Sequence, residues 1–181
     1  SFYCSTVKDR LYCDRADSPR RIRTQHTLRY VLECLVRCLS PILPHTCDEV
    51  MESLLGPDAS TMQGTPALQP LSVSSNIAWE SVMTTRKHVL KALEDAKGQG
   101  IENSLDAGVE LPNSLAISAM SDDLADIFGV SRVHFSSVND IIIHNLQHEL
   151  CCERSWKRDQ TVSKRADGSV LSERDFNAIN Q

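Results

Sequence analysis

Apolar residues recur at helical spacing between residues 18 and 39, and this stretch organises the first part of the chain. The positions that share one face are Leu28, Val31, Leu32, Leu35, Val36 and Leu39. Ser18 is a good N-cap, and Pro19 suits the first helical position because its missing N–H would have no partner inside a helix. The pattern therefore predicts a helix from Pro19 to Leu39 with one buried face.

Shorter helices are predicted on both sides of this segment. The preceding helix, over residues 1–11, buries one face and turns Lys8, Asp9 and Arg10 outward. After the long helix, Pro41 and Pro44 interrupt the helical pattern, because the residue before a proline is pushed out of the helical region. Thr46 and Glu49 form a capping box, which predicts a third helix from Cys47 that stops at Gly56. We expect an α-helical bundle over residues 1–56.

The second half of the chain predicts a different architecture. Residues 57–75 are rich in Pro, Gly, Ser and Thr, which is typical of a connector. A helix then runs to Gly98, and Leu105 to Leu111 alternate as in a half-buried strand. A short helix over residues 122–128 and two strands over 130–136 and 140–150 follow. The expected fold is mainly α, with a small α+β domain over residues 76–150 and a tail over 151–181.

Net charge argues against a protein that coats nucleic acid along its whole length. The net charge is −5 overall, but it is +4 over residues 1–37, −9 over 38–148 and 0 over 149–181. Only the two ends can therefore face RNA. No run of residues approaches the roughly 20 apolar residues of a membrane span. The seven cysteines are odd in number and lie on helical faces, which favours reduced thiols in an intracellular protein.

Three arginines crowd the start of the long predicted helix. Arg20, Arg21 and Arg23 lie in the first turn, where the helix dipole already places positive charge. This arrangement costs stability unless an anion lies nearby. The three arginines are therefore candidate contacts to a nucleic-acid phosphate backbone.

Several short motifs occur in the order found in one protein family. They are Lys8-Asp9-Arg10-Leu11-Tyr12, Arg20-Arg21, Gln25 with Thr27-Leu28, Leu39-Ser40-Pro41-Ile42-Leu43, Asp48-Glu49-Val50, Asn103-Ser104-Leu105-Asp106-Ala107 and Cys152-Glu153-Arg154-Ser155-Trp156. This series resembles the C-terminal anticodon-binding region of isoleucyl-tRNA synthetases of the bacterial and organellar type. The resemblance covers most of the chain and is weakest across the connector and around residues 112–148.

The resemblance implies a class I ligase that uses ATP and Mg²⁺ to join isoleucine to its tRNA. The HIGH and KMSKS signatures of the catalytic core do not occur in this sequence, and no Gly-rich phosphate loop follows a strand. We therefore expect a tRNA-binding fragment with no catalytic residue and no cofactor of its own. Its partners would be the anticodon stem-loop of isoleucine tRNA and the catalytic core of the same polypeptide, and it would not bind a membrane.

The family resemblance also implies a C-terminal zinc module built from two Cys-x-x-Cys pairs. Cys152 fills the first position, but Ser155, Ser172 and Asp175 stand at the other three. Structural zinc requires four Cys or His ligands, so the site is expected to be lost, with a tail that folds without metal or stays loose. A second set, His144, His148, Cys151 and Cys152, is disfavoured because two histidines four residues apart on a strand lie ~13 Å apart.

The resemblance places Arg154 and Trp156 near the anticodon loop. An indole can stack on an unpaired base, and a guanidinium can bind phosphate. Lys157 and Arg158 extend this basic patch. The alternative for Trp156 is a core residue that fills the small domain.

Two other functions remain open at this stage. One is a protein-interaction module without RNA binding, which would use the apolar stripe and the acidic middle of the chain. The other is a regulatory metal-binding domain. The run Leu43-Pro44-His45 leans toward a eukaryotic organellar enzyme, so the expected location is intracellular, with the mitochondrial matrix favoured over the cytoplasm.

Overall fold

A computed structural model describes residues 2–56, 79–98, 100–113 and 117–180. Within these ranges the helices are α1 Phe2–Tyr12, α2 Pro19–Leu39, α3 Pro44–Leu55, α4 Trp79–Lys97, α5 Ser121–Phe128 and α6 Glu173–Ile179. The strands within them are β1 Ala107–Pro112, β2 Arg132–Ser136, β3 Ile142–Asn145, β4 Ser163–Lys164 and β5 Val170–Leu171. The predicted class, mainly α with a small α+β part, is confirmed. The predicted connector lies outside the described residues.

The chain divides into two compact units. The sheet unit comprises Ser1–Arg21 and Ser75–Gln181, and the helical unit comprises Ile22–Ser74. Helix α1 lies in the sheet unit, whereas α2 begins there and continues into the helical unit. The domain boundaries that we expect from the sequence stay predictions.

The helical unit is held by a narrow apolar contact between α2 and α3. Val36, Cys47 and Met51 are its buried residues, and the Cys47 thiol donates to the carbonyl of Val36 at 3.4 Å. The predicted burial of the whole α2 stripe is wrong, since Val31 is 46% exposed and Leu35 is 52% exposed. In the described part of this unit only α3 packs on α2. A single neighbouring helix covers a narrow row of α2 residues, spaced four apart, and leaves the rest of the stripe exposed.

Helix α3 begins at Pro44, three residues earlier than predicted. Leu43 occupies the N-cap position with no side-chain hydrogen bond, and the Cys47 amide donates to the Leu43 carbonyl at 3.0 Å. The predicted capping box of Thr46 and Glu49 is therefore wrong. Proline is suited to the first helical turn because the N–H that it lacks would have no partner there.

The core of the sheet unit is built around β1, the central strand of the order β2-β1-β3. β1 pairs with β2 in parallel, with Val109 opposite Val133, and with β3 in antiparallel register, with Val109 opposite Ile143. Helix α5 connects β1 to β2, and Gly129 ends it in the left-handed region at φ 73°. The predicted strand over 140–150 is too long, because Leu146 turns into the core and Glu149 closes a turn onto its carbonyl.

The C-terminal tail is folded through its described residues. β4 and β5 form a hairpin, and α6 follows it directly. Cys152, Val162 and Leu171 form a small buried cluster, and the Arg165 guanidinium lies 4.7 Å from the centre of the Phe176 ring. This cluster gives the tail a core of its own.

Helix α1 binds α5 through a buried arginine. Arg10, predicted to face outward, is only 9% exposed. Its Nη2 atom lies 2.7 Å from Asp123 Oδ1 and 3.1 Å from Asp126 Oδ2. The prediction for Arg10 is wrong because these carboxylates, more than a hundred residues away in the chain, face this side of α1.

Asp9 joins α1 to the tail. Its carboxylate lies 2.5 Å from Arg174 Nη1 and 3.3 Å from Lys157 Nζ, and Lys157 also lies 2.6 Å from Asp126. Burial alone would raise the pKa of Asp9, but the hydrogen bond to Arg174 and the two positive charges lower it from 3.8 to about 2. We call the residues that interlock here the charge cluster: Asp9, Arg10, Asp14, Arg20, Asp126, Lys157 and Arg174.

Replacing Asp9 by asparagine is expected to destabilise the chain in a pH-dependent way. Because the folded-state pKa of Asp9 lies below its unfolded value, its stabilisation is fully present above about pH 4 and is lost as the pH falls toward 2. We expect Asp9→Asn to reduce the free energy of unfolding by about 2 kcal/mol at pH 7. Denaturant unfolding at several pH values measures this.

The matched control for this prediction is Asp95→Asn, at an exposed position of α4. The difference between Asp9→Asn and the unsubstituted chain should shrink as the pH falls from 4 to 2, whereas the control should be near neutral throughout. A constant difference across that range would contradict the assignment of the charge cluster as the cause.

Candidate nucleic-acid interface

The start of α2 is neutralised by the chain's own carboxylates. Arg20 Nε lies 3.1 Å from Asp14 Oδ2, and Arg20 Nη1 lies 3.7 Å from Asp126 Oδ2. Burial acts to lower the pKa of Arg20, but the hydrogen bond to Asp14 and the nearby carboxylates raise it, so the guanidinium stays charged. The anion that the crowded helix start requires is therefore internal, which corrects the sequence-based argument that a nucleic-acid phosphate is needed there.

The other two arginines of this turn differ in their surroundings. Arg21 Nη1 donates to the carbonyl of Asp14 at 2.8 Å, so this side chain also lies against its own chain. Arg23 is exposed, and no ion pair is found for it among the residues that the structure describes. Of the three predicted phosphate contacts, Arg23 is the side chain that faces solvent.

The predicted basic patch over residues 154–158 separates into two parts. Lys157 is bound to Asp9 and Asp126, and Arg158 Nε lies 2.7 Å from Asp106 Oδ1. These two cations point into the sheet unit. Arg154 is half-buried and donates to the carbonyl of Tyr12 at 2.8 Å.

Trp156 is presented to solvent by a tight turn. Its amide donates to the Cys152 carbonyl at 2.8 Å, and the Cys152 amide donates to the Lys157 carbonyl at 2.9 Å. Trp156 is 66% exposed and adopts a positive φ of 63°, a conformation that costs energy for a bulky residue. The alternative in which Trp156 fills the core is wrong.

A cleft of about 460 Å³ lies between α1 and this turn. Tyr12, Arg154 and Trp156 line it together with Lys8, and Tyr12 is 71% exposed. We call this the aromatic cleft. The sequence motifs include Tyr12 but do not indicate a binding role for it. It is the last residue of α1, and its position beside an exposed tryptophan depends on a contact between segments that the sequence alone does not join.

A second cavity, of about 520 Å³, lies beside the charge cluster. Its charged lining residues are Asp14, Arg15, Arg20, Asp122, Asp126, Lys157, Asp159 and Arg174. Four acidic and four basic side chains balance one another there, so the cavity offers no excess positive charge to an anion.

The four positions that resemble zinc ligands come together in the tail. Asp175 Oδ2 accepts hydrogen bonds from the Cys152 thiol at 3.0 Å, the Ser155 hydroxyl at 2.7 Å and the Ser172 hydroxyl at 2.9 Å. Asp175 is fully buried. Burial acts to raise the pKa of Asp175, but these hydrogen bonds and Arg174 lower it, which favours a carboxylate.

This donor set does not fit a structural zinc ion. One thiol and one carboxylate are combined with two neutral hydroxyls, whereas such sites use four Cys or His ligands. The histidine alternative is not assembled either: His144 lies on β3 with its Nε2 atom 2.7 Å from Glu110, and His148 follows the strand. Across the described ranges, no group of three or more His, Cys, Asp or Glu could hold a metal.

No helix within the described residues is long and apolar enough to cross a membrane.

Comparisons with known proteins support the resemblance that the sequence motifs carry. Residues 1–111 match the family model described as the anticodon-binding domain of tRNA ligase. The chain is 33% identical to an isoleucine–tRNA ligase of Bacillus mycoides (strain KBAB4), over 96% of this chain and 21% of that protein. It is 33% identical to an isoleucine–tRNA ligase of Shouchella clausii (strain KSM-K16), over 90% of this chain and 20% of that protein.

A third relative is an isoleucine–tRNA ligase of Bacillus cereus (strain B4264), 32% identical over 96% of this chain. The chain spans about a fifth of the length of these relatives. The family model covers more than half of the chain, including α1, α2, α3, α4 and most of β1. The chain therefore belongs to the family of anticodon-binding domains of tRNA ligases.

Proposed function

We propose that this chain is the tRNA-binding C-terminal region of an isoleucine–tRNA ligase, and that it grips the anticodon stem-loop of isoleucine tRNA. The observation that carries the proposal is the similarity to isoleucine–tRNA ligases over nearly the whole chain. The family model adds the anticodon-binding role for residues 1–111. No observation favours the protein-interaction alternative over this one.

The aromatic cleft supplies the chemistry that such a function needs in the sheet unit. Tyr12 and Trp156 expose flat rings to solvent, and the Arg154 guanidinium, which lines the same cleft, donates to the Tyr12 carbonyl. Sequence-specific recognition of RNA targets unpaired bases, which stack on aromatic side chains. We infer that an unpaired base of the anticodon loop enters the aromatic cleft and stacks on Trp156.

In the helical unit the proposed contact is Arg23. The Arg23 guanidinium is exposed near the start of α2, where the positive end of the helix dipole disfavours a cation. The same positive end attracts a phosphate, which the guanidinium can bind. Arg20, Arg21, Lys157 and Arg158 are bound to their own chain. We propose that they position these segments, and that they contact RNA less directly than Arg23 and Trp156. Arg154 is also bound to its own chain, through the Tyr12 carbonyl, but it lines the aromatic cleft.

Catalysis would belong to the rest of the ligase. ATP and Mg²⁺ would serve that catalytic core, and we assign no catalytic residue to this chain. The mitochondrial location expected from the sequence rests on the Leu43-Pro44-His45 run alone, and the bacterial relatives give it no support.

The proposed function predicts selective binding of isoleucine tRNA. A filter-binding titration with this chain should give a lower dissociation constant for isoleucine tRNA than for the same transcript with its anticodon replaced. Each mismatched recognition contact typically costs about 1–3 kcal/mol, which corresponds to roughly a 5- to 150-fold difference. Equal affinities for the two transcripts would contradict anticodon recognition by this chain.

Trp156→Ala should weaken binding to isoleucine tRNA by roughly 5- to 150-fold, the loss expected for one base–aromatic stack. Trp156→Phe should retain most of the affinity because it keeps an aromatic face. The matched control is Trp79→Ala, which removes the other tryptophan, 48% exposed on α4. Comparable losses for the two alanine variants would reject Trp156 as a specific contact.

Arg23→Glu should weaken binding and reduce its salt dependence, because a protein cation that meets a phosphate releases a counterion. The slope of log K against log salt concentration should fall in magnitude by about 1. Lys91→Glu, at an exposed position of α4, makes the same change in net charge and serves as the control. An unchanged slope in Arg23→Glu would remove Arg23 from the interface.

A further inference from the structure

We propose that the buried carboxylate of Asp175 does the work of a metal ion in this tail. The carboxylate holds two turns together: one turn carries Cys152 and Ser155, and the other carries Ser172 and Asp175 itself. It thereby positions the first turn, which presents Trp156. The part of the inference that concerns RNA rests on the proposed function, whereas the part that concerns the metal does not.

Three hydrogen-bond donors converge on one oxygen atom of Asp175. Three donors from two separate segments, Cys152, Ser155 and Ser172, all point at Asp175 Oδ2, at 2.7–3.0 Å. The Ser172 amide in turn donates to the Cys152 sulfur at 3.4 Å. A tetrahedral metal ion links two such turns by binding two side chains from each turn. Here one carboxylate oxygen links the same four positions.

The other oxygen of Asp175, Oδ1, also has partners. Arg174 Nη2 lies 3.3 Å from Asp175 Oδ1, and Arg154 Nε lies 3.9 Å from it. A fully buried carboxylate is stable only when it is paired and hydrogen-bonded. Asp175 meets both conditions, so this arrangement is complete without a metal ion.

Helix capping explains only part of this geometry. Ser172 is the N-cap of α6 and accepts a hydrogen bond from the Asp175 amide at 3.2 Å. In a capping box the third residue reaches back to the N-cap amide. Here that amide binds the Cys152 sulfur, and the Asp175 side chain reaches Cys152 and Ser155 instead.

The link to Trp156 runs through Cys152 and Arg154. The Cys152 backbone closes the turn at both of its ends, through the Trp156 amide and the Lys157 carbonyl. Arg154, which contacts Asp175, also holds the Tyr12 carbonyl on the other side of the aromatic cleft. Asp175 is therefore a positioning residue, which acts on RNA through the groups around it.

The test begins with the unsubstituted chain. Purified protein should contain substoichiometric zinc, and its melting temperature should be unchanged by EDTA. One zinc per chain whose removal lowers the melting temperature would overturn the proposal. This measurement needs no RNA, so its outcome is independent of the proposed function.

Two variants test the carboxylate itself. Asp175→Asn should lower the melting temperature by roughly 5–15 °C, because it removes the buried charge that accepts from three donors and pairs with Arg174. Glu173→Gln, exposed in the same turn of α6, is the matched control and should leave it nearly unchanged. Equal melting temperatures for the two variants would overturn the proposal.

The decisive variant restores the thiols. The triple substitution Ser155→Cys, Ser172→Cys and Asp175→Cys should bind one zinc per chain, and its melting temperature should become sensitive to EDTA. With zinc, it should recover tRNA affinity to within a few fold of the unsubstituted chain, and EDTA should abolish that recovery. A triple variant that takes up no zinc would contradict the inference that these four positions have the arrangement of a zinc site. If the unsubstituted chain binds no tRNA, the proposed function fails, while the zinc and melting results still decide the role of Asp175.

Discussion

Mutual neutralisation of buried charges is the constraint on which the sheet unit depends. The charge cluster joins α1, the start of α2, α5 and the tail, which are far apart in sequence. The carboxylate of Asp126 by itself lies within ion-pair distance of three cations, Arg10, Arg20 and Lys157. Removing one member of such a set leaves an uncompensated buried charge, which costs more than the intact pair contributes. The segments of this unit are therefore interdependent through charge as much as through apolar packing.

This internal pairing changes how the chain can bind a polyanion. Only cations that exchange a counterion for a phosphate contribute to the electrostatic part of nucleic-acid affinity. Most of the basic residues that the sequence suggests as contacts already have a carboxylate partner, as Arg20 and Lys157 illustrate. With a net charge of −5, the tRNA binding that we propose would rely on a few exposed cations and on stacking. Selectivity would then come from bases rather than from bulk charge.

The sequence predicts well those features that a few neighbouring residues determine. Pro19 begins α2, the interruption near Pro41 and Pro44 separates α2 from α3, and Gly129 ends α5. Each of these depends on a local backbone rule. The alternation over Ala107, Val109 and Leu111 also identifies a strand, because these side chains share one face that packs against the buried residues of α4 and α5, although Leu105 lies before the strand begins.

Features that depend on distant partners could not be predicted in the same way. The burial of Arg10 follows from Asp123, whose place on α5 beside α1 has no local signal. The same holds for Lys157 and Arg158, which a local pattern assigns to a basic surface although their partners lie in other elements. Exposure of Trp156 is likewise set by a turn whose ends are fixed by Cys152.

The tail brings together the four positions that resemble zinc ligands without a set of zinc-binding side chains. Cys152, Ser155 and Ser172 converge because the Asp175 carboxylate accepts a hydrogen bond from each of them. The negative charge this introduces is acceptable only because Arg174 was available to pair with it, and Arg174 is itself fixed by Asp9 of α1. If Asp175 takes the place of a metal ion as we propose, the tail depends on the first helix of the unit rather than on an external ion. The strained backbone of Trp156 is held by the same connection, since Cys152 belongs both to the turn and to the cluster around Asp175.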